Sequence, residues 1–152
     1  MDQADGVHLR VTVPGDLPVF FEQQRDPEAV RRAKFPARER KPFFDHWERR
    51  VLGDKAVLVR TVTLDGRIAG NVVAWWQDGR RSVGYWFGRE FWGRGVGTRA
   101  LTQFLEVEQT RPLYADTDVG NTASIRLLER CGFRHLETIK TPEAEYVLLR
   151  LE

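Results

Sequence analysis

The stretch REFWGRGVGTRAL, residues 89–101, gathers the residues of this chain whose types and spacing are suited to chemistry. Gly93, Gly95 and Gly97 stand at every second position and lead into an apolar, helix-forming run. Glycine costs backbone entropy on folding, so three of them at a helix start need a reason. A plain strand-to-helix turn would need only one. A dinucleotide loop is a second reading, since Gly95-Val96-Gly97-Thr98-Arg99-Ala100 satisfies G-x-G-x-x-[GA], with Asp116 following near the required distance. That motif belongs directly after the first strand of a βαβ unit, whereas a series of hairpin strands precedes it here. A P-loop is a weaker match still, because no Gly-Lys-[Ser/Thr] occurs. The third reading is a pyrophosphate cradle. Backbone N–H groups from Gly93 to Thr98 would converge at the positive end of a helix dipole, where side chains at 93, 95 and 97 would block a ligand's approach. The dipole supplies only about 0.3–2 kcal/mol, so backbone hydrogen bonds must supply the rest, with Arg94 and Arg99 adding charge at the rim.

The elements that must position this loop are legible from periodicity. Val7, Leu9, Val11 and Val13 alternate with polar residues and read as a half-buried first strand. Asp16 is expected to cap a helix carrying Leu17, Phe20 and Phe21. Residues 26–42 are polar and broken by prolines, which predicts a short helix and then loop. Phe43 to Leu52 returns to a helical pattern through Phe44, Trp47 and Val51. Three strands follow in KAVLVRTVTL, RIAGNVVAWW and RSVGYWF, separated by the hairpin signals Asp65-Gly66 and Asp78-Gly79. From Val96 a helix runs to about Thr110. PLYADTD, 112–118, is a further strand. NTASIRLLERCGF is a second late helix with Ile125, Leu128 and Cys131 on one face and Gly132 as its stop. A terminal hairpin closes a mixed α/β (α+β) domain, one unit over 1–152 with a central, mostly antiparallel sheet.

Bulk properties narrow the classes. Of 152 residues, 41% are hydrophobic and 30% charged, the balance of a soluble globular domain. Net charge is +2, and the arginines are dispersed, unlike a nucleic-acid-binding tail. Cys131 is the only cysteine, so neither an intrachain disulfide nor a cysteine metal cluster forms. The acidic opening MDQADGVHLR has no apolar leader core, and no apolar run reaches membrane-spanning length. The expectation is a cytoplasmic protein with no nucleic-acid or membrane partner. His8, His46 and His135 lack metal-ligand spacing, so no metal is expected. Asp45-His46-Trp47-Glu48 reads as a mixed helix face, because neighbouring side chains on a helix point in different directions. Trp75, Trp76 and Trp86 read as strand packing, with one or two available to wall a pocket.

YWFGREFWGRGVGTRAL followed by NTASIRLLERCGF resembles the GNAT superfamily of acetyl-CoA-dependent N-acetyltransferases, most closely the branch of ribosomal-protein N-terminal (alanine/serine) acetyltransferases. The resemblance covers most of the chain and implies acetyl-CoA as cosubstrate. It makes Gly95 and Gly97 the motif glycines and assigns the backbone of Gly93, Arg94, Gly95, Val96, Gly97 and Thr98 to the pyrophosphate. Trp92 stands where Gln or Arg is usual. Phe87 would present backbone to the pantetheine arm, and Asn121 and Ser124 would face the cofactor. Leu128 occupies a position where the family often has a tyrosine acid.

Amide formation from a thioester requires a deprotonated amine, a stabilised carbonyl oxygen and a protonated leaving thiolate. Ser124 is the candidate acid, with a helix-turn hydroxyl bonded to backbone as its plainer role. Asp116 is the candidate base acting through water, with a solvated strand end as its plainer role. The resemblance puts the oxyanion contact at or near the Phe87 N–H. The acceptor is a small-molecule or peptide primary amine, and a homodimer is compatible with this reading. A non-catalytic acyl-CoA-binding sensor or scaffold module is the alternative.

Overall fold

The computed structural model describes residues 6–152; part of the acidic opening segment lies outside the described residues. Strand β1 (Val7–Val11) is followed by a short turn of 3-10 helix and by α1 (Leu17–Gln24), α2 (Pro27–Ala33) and α3 (Arg40–His46). A π turn, Trp47–Val51, extends α3. Then come β2 (Leu58–Leu64), β3 (Arg67–Gln77), β4 (Arg80–Phe87), α4 (Val96–Val107), β5 (Leu113–Asp118), α5 (Thr122–Arg130), β6 (Arg134–Lys140) and β7 (Glu145–Leu151). Both expected hairpins form: Asp65 and Gly66 have φ of 51° and 84°, Asp78 and Gly79 of 51° and 76°. Two successive left-handed residues are what a tight hairpin needs to match the twist of its strands.

The seven strands form one sheet in the order β1-β2-β3-β4-β5-β7-β6. Every neighbouring pair is antiparallel except β4 and β5. That parallel pair is joined only at Arg81 with Leu113 and Ser82 with Tyr114. Beyond those two positions the strands diverge and leave a wedge in the middle of the sheet. A buried ion pair pins its closed end. Arg81 Nε donates to Glu108 Oε1 at 2.7 Å, and a second Arg81 nitrogen donates to the Ala56 carbonyl at 2.6 Å. Glu108 turns inward for this contact, which is why α4 stops at Val107, short of the Thr110 that periodicity predicted.

Two apolar layers sandwich the sheet. On one face α4 and α5 bury Ala100, Leu101, Phe104 and Leu128 against Val72, Leu113 and Phe133. On the other, Leu17, Phe20 and Phe21 of α1 pack with Phe43 and Trp47. Trp47 is therefore core, and Asp45 pairs with Lys41 at 2.8 Å on the surface. The first strand departs from expectation. Val7 is buried and Leu9 half-buried, but Val11 is 66% and Val13 47% exposed, because β1 is an edge strand whose end outruns the helices.

Asp16 also differs from its expected role. It stands at the cap position of α1 but makes no cap bond to that helix. Its carboxylate instead accepts from Arg10 through two bonds of 2.8 Å, from the Val13 N–H at 3.0 Å and from the Thr61 hydroxyl at 2.8 Å. Burial pushes its pKa up, but the Arg10 guanidinium and those donors more than offset it, and the net shift is downward. A depressed carboxylate pKa contributes stability that is present above the unfolded value near 3.9 and is lost as pH falls through the folded value. Acid-unfolding curves should therefore show Asp16→Asn destabilised at neutral pH, with the difference from the parent protein shrinking below about pH 4.

Candidate active site

Alternation along the strands decides what faces the wedge. Gly88 N–H donates to the Ala69 carbonyl of β3 at 2.9 Å. The alternating bonds of an antiparallel ladder then turn the N–H and C=O groups of Phe87 and Tyr85 away from β3, toward β5. The Phe87 carbonyl is held by the Trp92 indole N–H at 3.1 Å. Trp92 is thus a brace between the strand end and the glycine loop, with the Arg32 guanidinium 4.5 Å above its ring.

The three glycines have separate causes. Gly93 and Gly95 adopt left-handed backbone, φ 72° and 77°, and Gly95 is the N-cap of α4. Left-handed residues alternating with right-handed ones direct successive N–H groups into one concavity, an anion nest. A methyl group built on Gly93 would meet nothing within 4 Å, so the loop is open there. Gly97 has a packing cause that the sequence reading did not include. A Cβ there would lie 2.4 Å from Leu127 Cδ1, so this glycine allows α4 and α5 to pack closely. Val96 is 1% exposed and anchors the loop in the core, leaving only its backbone for a ligand. Arg94 bends back, donating to the Glu90 carbonyl at 3.4 Å. The Thr98 carbonyl accepts from the Thr102 hydroxyl at 2.7 Å.

Across the wedge, Asn121 caps α5 by accepting from the Ser124 N–H at 3.4 Å, so its side-chain oxygen serves the helix. Ser124 Oγ lies 2.5 Å from the Tyr85 hydroxyl of β4, and this contact joins the two diverging halves of the sheet. Tyr85 packs against Phe87, ring centroids 5.6 Å apart, and burial raises its phenol pKa well above the ordinary value. The Tyr85 hydroxyl also donates to the Ser124 carbonyl at 3.3 Å, and in the contact between the two hydroxyls either oxygen can be the donor. Sequence reasoning missed Tyr85. Leu128, where a tyrosine acid had been sought, is 1% exposed and belongs to the core.

Asp116 lies on the opposite face of the sheet from Ser124. Leu113 and Ala115 point into the α4–α5 core, so alternation sends Tyr114, Asp116 and Asp118 toward α1–α3. Asp116 is exposed, yet enough protein surrounds its carboxyl for desolvation to raise its pKa. On this same face the half-buried Trp86 donates to the Gln23 carbonyl at 3.0 Å and packs against Phe35, ring centroids 6.2 Å apart. The two candidate proton-transfer groups thus occupy opposite sides of one opening. Such an arrangement can receive one reactant from each face and move protons at two separate points. Cys131 is half-buried, and burial raises its thiol pKa, as suits an inert packing residue. Among the described residues, no group of three His, Cys, Asp or Glu side chains could hold a metal ion.

The fit of a coenzyme rests on the open loop at Gly93, on the left-handed backbone of Gly93 and Gly95 and on the outward-facing backbone of β4. The dinucleotide reading fails on topology, since the loop follows the fourth strand of a meander. Comparison with known proteins gives the family. A family model described as "Acetyltransferase (GNAT) domain" matches residues 7–134. No curated protein matches the chain significantly. Among solved structures, AAC(6′)-Ib in complex with paromomycin and acetyl-CoA has a TM-score of 0.78 at 22% identity, over 97% of this chain and 93% of that one. A GNAT-family acetyltransferase from Bacillus anthracis has a TM-score of 0.81 at 15% identity, over 97% and 95% of the two chains. A spermidine N-acetyltransferase SpeG chimera, from Vibrio cholerae and hSSAT, has a TM-score of 0.81 at 14% identity, over 97% and 95%.

Proposed function

Because the chain belongs to the GNAT acetyltransferase family, we propose that it moves the acetyl group of acetyl-CoA to a primary amine by direct attack. The observation that carries this reading is the wedge where β4 and β5 part after two pairings, with left-handed Gly93 and Gly95 at its end. In this reading the loop N–H groups from Gly93 to Thr98 hold the diphosphate. The acyl carrier runs along the edge of β4 that faces β5, where the Phe87 carbonyl is already taken by Trp92, and the amine enters from the α1–α2 face past Trp86 and Phe35. The Phe87 N–H is placed to stabilise the carbonyl oxygen. As the C–N bond forms and the C–S bond breaks, Ser124 gives its proton to the departing thiolate and recovers one from solvent, which balances the proton released by the amine. Tyr85 positions Ser124 by holding its hydroxyl. The amine loses its proton on the other face, to Asp116 through water.

Several neighbours support an amine acceptor, among them aminoglycoside acetyltransferase AAC(6′)-Ib with coenzyme A and kanamycin. A peptide N-terminus is retained as an acceptor class from the sequence resemblance, and a homodimer stays compatible. A reducing cytoplasm fits the single free cysteine and the lack, among the described residues, of any helix able to cross a membrane. Leu128 in place of a helix tyrosine, together with the lack of a carboxylate in strand residues 82–87, is the basis of the sensor alternative, which predicts tight coenzyme binding without turnover.

The test is thiol release from acetyl-CoA over a panel of amines and N-terminal peptides as a function of pH. The acid limb of kcat/KM should sit above the ordinary aspartate pKa, because desolvation raises that of Asp116 and a base acts only when deprotonated. Asp116→Asn should remove that limb and lower the plateau by about 10²-fold. Bound coenzyme with no thiol release from any amine would establish the sensor instead.

A further inference from the structure

We propose that the amine acceptor carries an anionic group, a carboxylate or a phosphate, which is held by Arg31, Arg32 and Lys34. This rests on the acetyl-transfer reading above and names the substrate class at that same site. A cleft of about 380 Å³ opens between the end of α2 and the β5–α5 connection, with these three cations on one wall and Asp118, Asn121 and Thr122 on the other. Its two sides belong to the two sides of the wedge. Arg32 lies over Trp92, which bonds the Phe87 carbonyl, while Asn121 caps the helix that carries Ser124. A ligand in the cleft would therefore lie beside the wedge, between the brace on β4 and the helix that carries Ser124.

The charges in the cleft do not cancel. Glu28 answers both Arg31 and Arg32 through one carboxylate. Asp118 is only 7% exposed in its side chain and is turned back onto its own loop, accepting from the Gly120 N–H at 2.8 Å. Its contact with Lys34 Nζ is a loose 3.7 Å. Three cations thus meet two carboxylates, leaving one positive charge in surplus, and the cation side chains are 71%, 45% and 71% exposed. Lys34 also holds a left-handed backbone, φ 49°, where glycine or asparagine would sit more easily. Lys34 places its ammonium at the cleft rim. A polycation such as an aminoglycoside would be repelled by this wall, whereas a planar guanidinium suits carboxylate or phosphate. The same anionic chemistry is present in the 3′-phosphate of the coenzyme, so the test separates the two sources.

Calorimetry on the coenzyme A-bound protein would compare alanylglutamate, alanylglutamine amide and spermidine, alongside KM for each in the thiol-release assay. Alanylglutamate should bind at least about tenfold more tightly than the other two, and an Arg31→Ser, Lys34→Asn double variant should abolish that preference. Equal binding of the three, or preference for spermidine, would overturn the proposal. So would a variant that loses affinity for coenzyme A but not for 3′-dephospho-coenzyme A while keeping its acceptor preference, because the anion would then be the cofactor's. Absence of thiol release with every amine would refute the acetyl-transfer reading, while the calorimetric ranking still decides the charge preference.

Discussion

Replacing Gly95 with valine is expected to raise the dissociation constant for coenzyme A by about 100-fold while leaving a folded protein. Gly95 sits at φ 77° as the N-cap of α4, a conformation that a β-branched residue adopts only under strain. The valine would draw the loop out of its nest and misdirect the N–H groups on either side. Losing two hydrogen bonds to a charged diphosphate, at about 1.5 kcal/mol or more each, accounts for that factor. The strain costs about 1–3 kcal/mol, tolerable for a domain with ordinary stability of about 5–15 kcal/mol. Titration calorimetry measures the affinity, and circular dichroism with a thermal melt checks the fold. Gly97→Val is not an equivalent probe. Its Cβ would meet Leu127 Cδ1 at 2.4 Å, so the melting temperature should fall through disturbed α4–α5 packing. Affinity retained in a folded Gly95→Val protein would remove the loop from the cofactor's binding site.

The second large effect is expected at the Tyr85–Ser124 pair. Ser124→Ala should lower kcat by about 10²-fold, the usual contribution of a positioned acid, with little change in coenzyme affinity. Tyr85→Phe removes one hydroxyl, 2.5 Å from Ser124 Oγ, and leaves the ring packed on Phe87. Its loss should lower kcat by about tenfold, the value of one hydrogen bond near 1.4 kcal/mol. If Tyr85 acts only by orienting Ser124, the double variant will be no slower than Ser124→Ala alone, because residues acting as a unit are not additive. A merely structural tyrosine would instead lower the melting temperature and leave kcat intact. Independent multiplication of the two defects would show that Tyr85 acts on its own.

The order of elements was legible because its signals are local. The Asp-Gly pairs at 65–66 and 78–79 demand left-handed backbone, and the change from strand to helical spacing at Val96 marks the glycine loop. What sequence could not provide depends on register between distant segments. Tyr85 and Ser124 are 39 residues apart and meet only because β4 and β5 separate after two pairings. Asp116 and Ser124 both matched the sought chemistry, but their opposite faces follow from the pairing of β5 with β7 and the packing of Ala115. The insertion of β7 between β5 and β6 carries no local signal. Gly97 shows the converse difficulty, a motif glycine whose closest neighbour is a leucine of the next helix.

The grip of the Gly93–Thr98 backbone on a diphosphate is tested most directly by a crystal structure of the protein with coenzyme A. The diphosphate oxygens should lie about 2.7–3.2 Å from loop N–H groups, with the thiol on the α4–α5 side of the wedge near Ser124. A diphosphate seated among Arg31, Arg32 and Lys34, or anywhere else that leaves the loop N–H groups to water, would contradict the account.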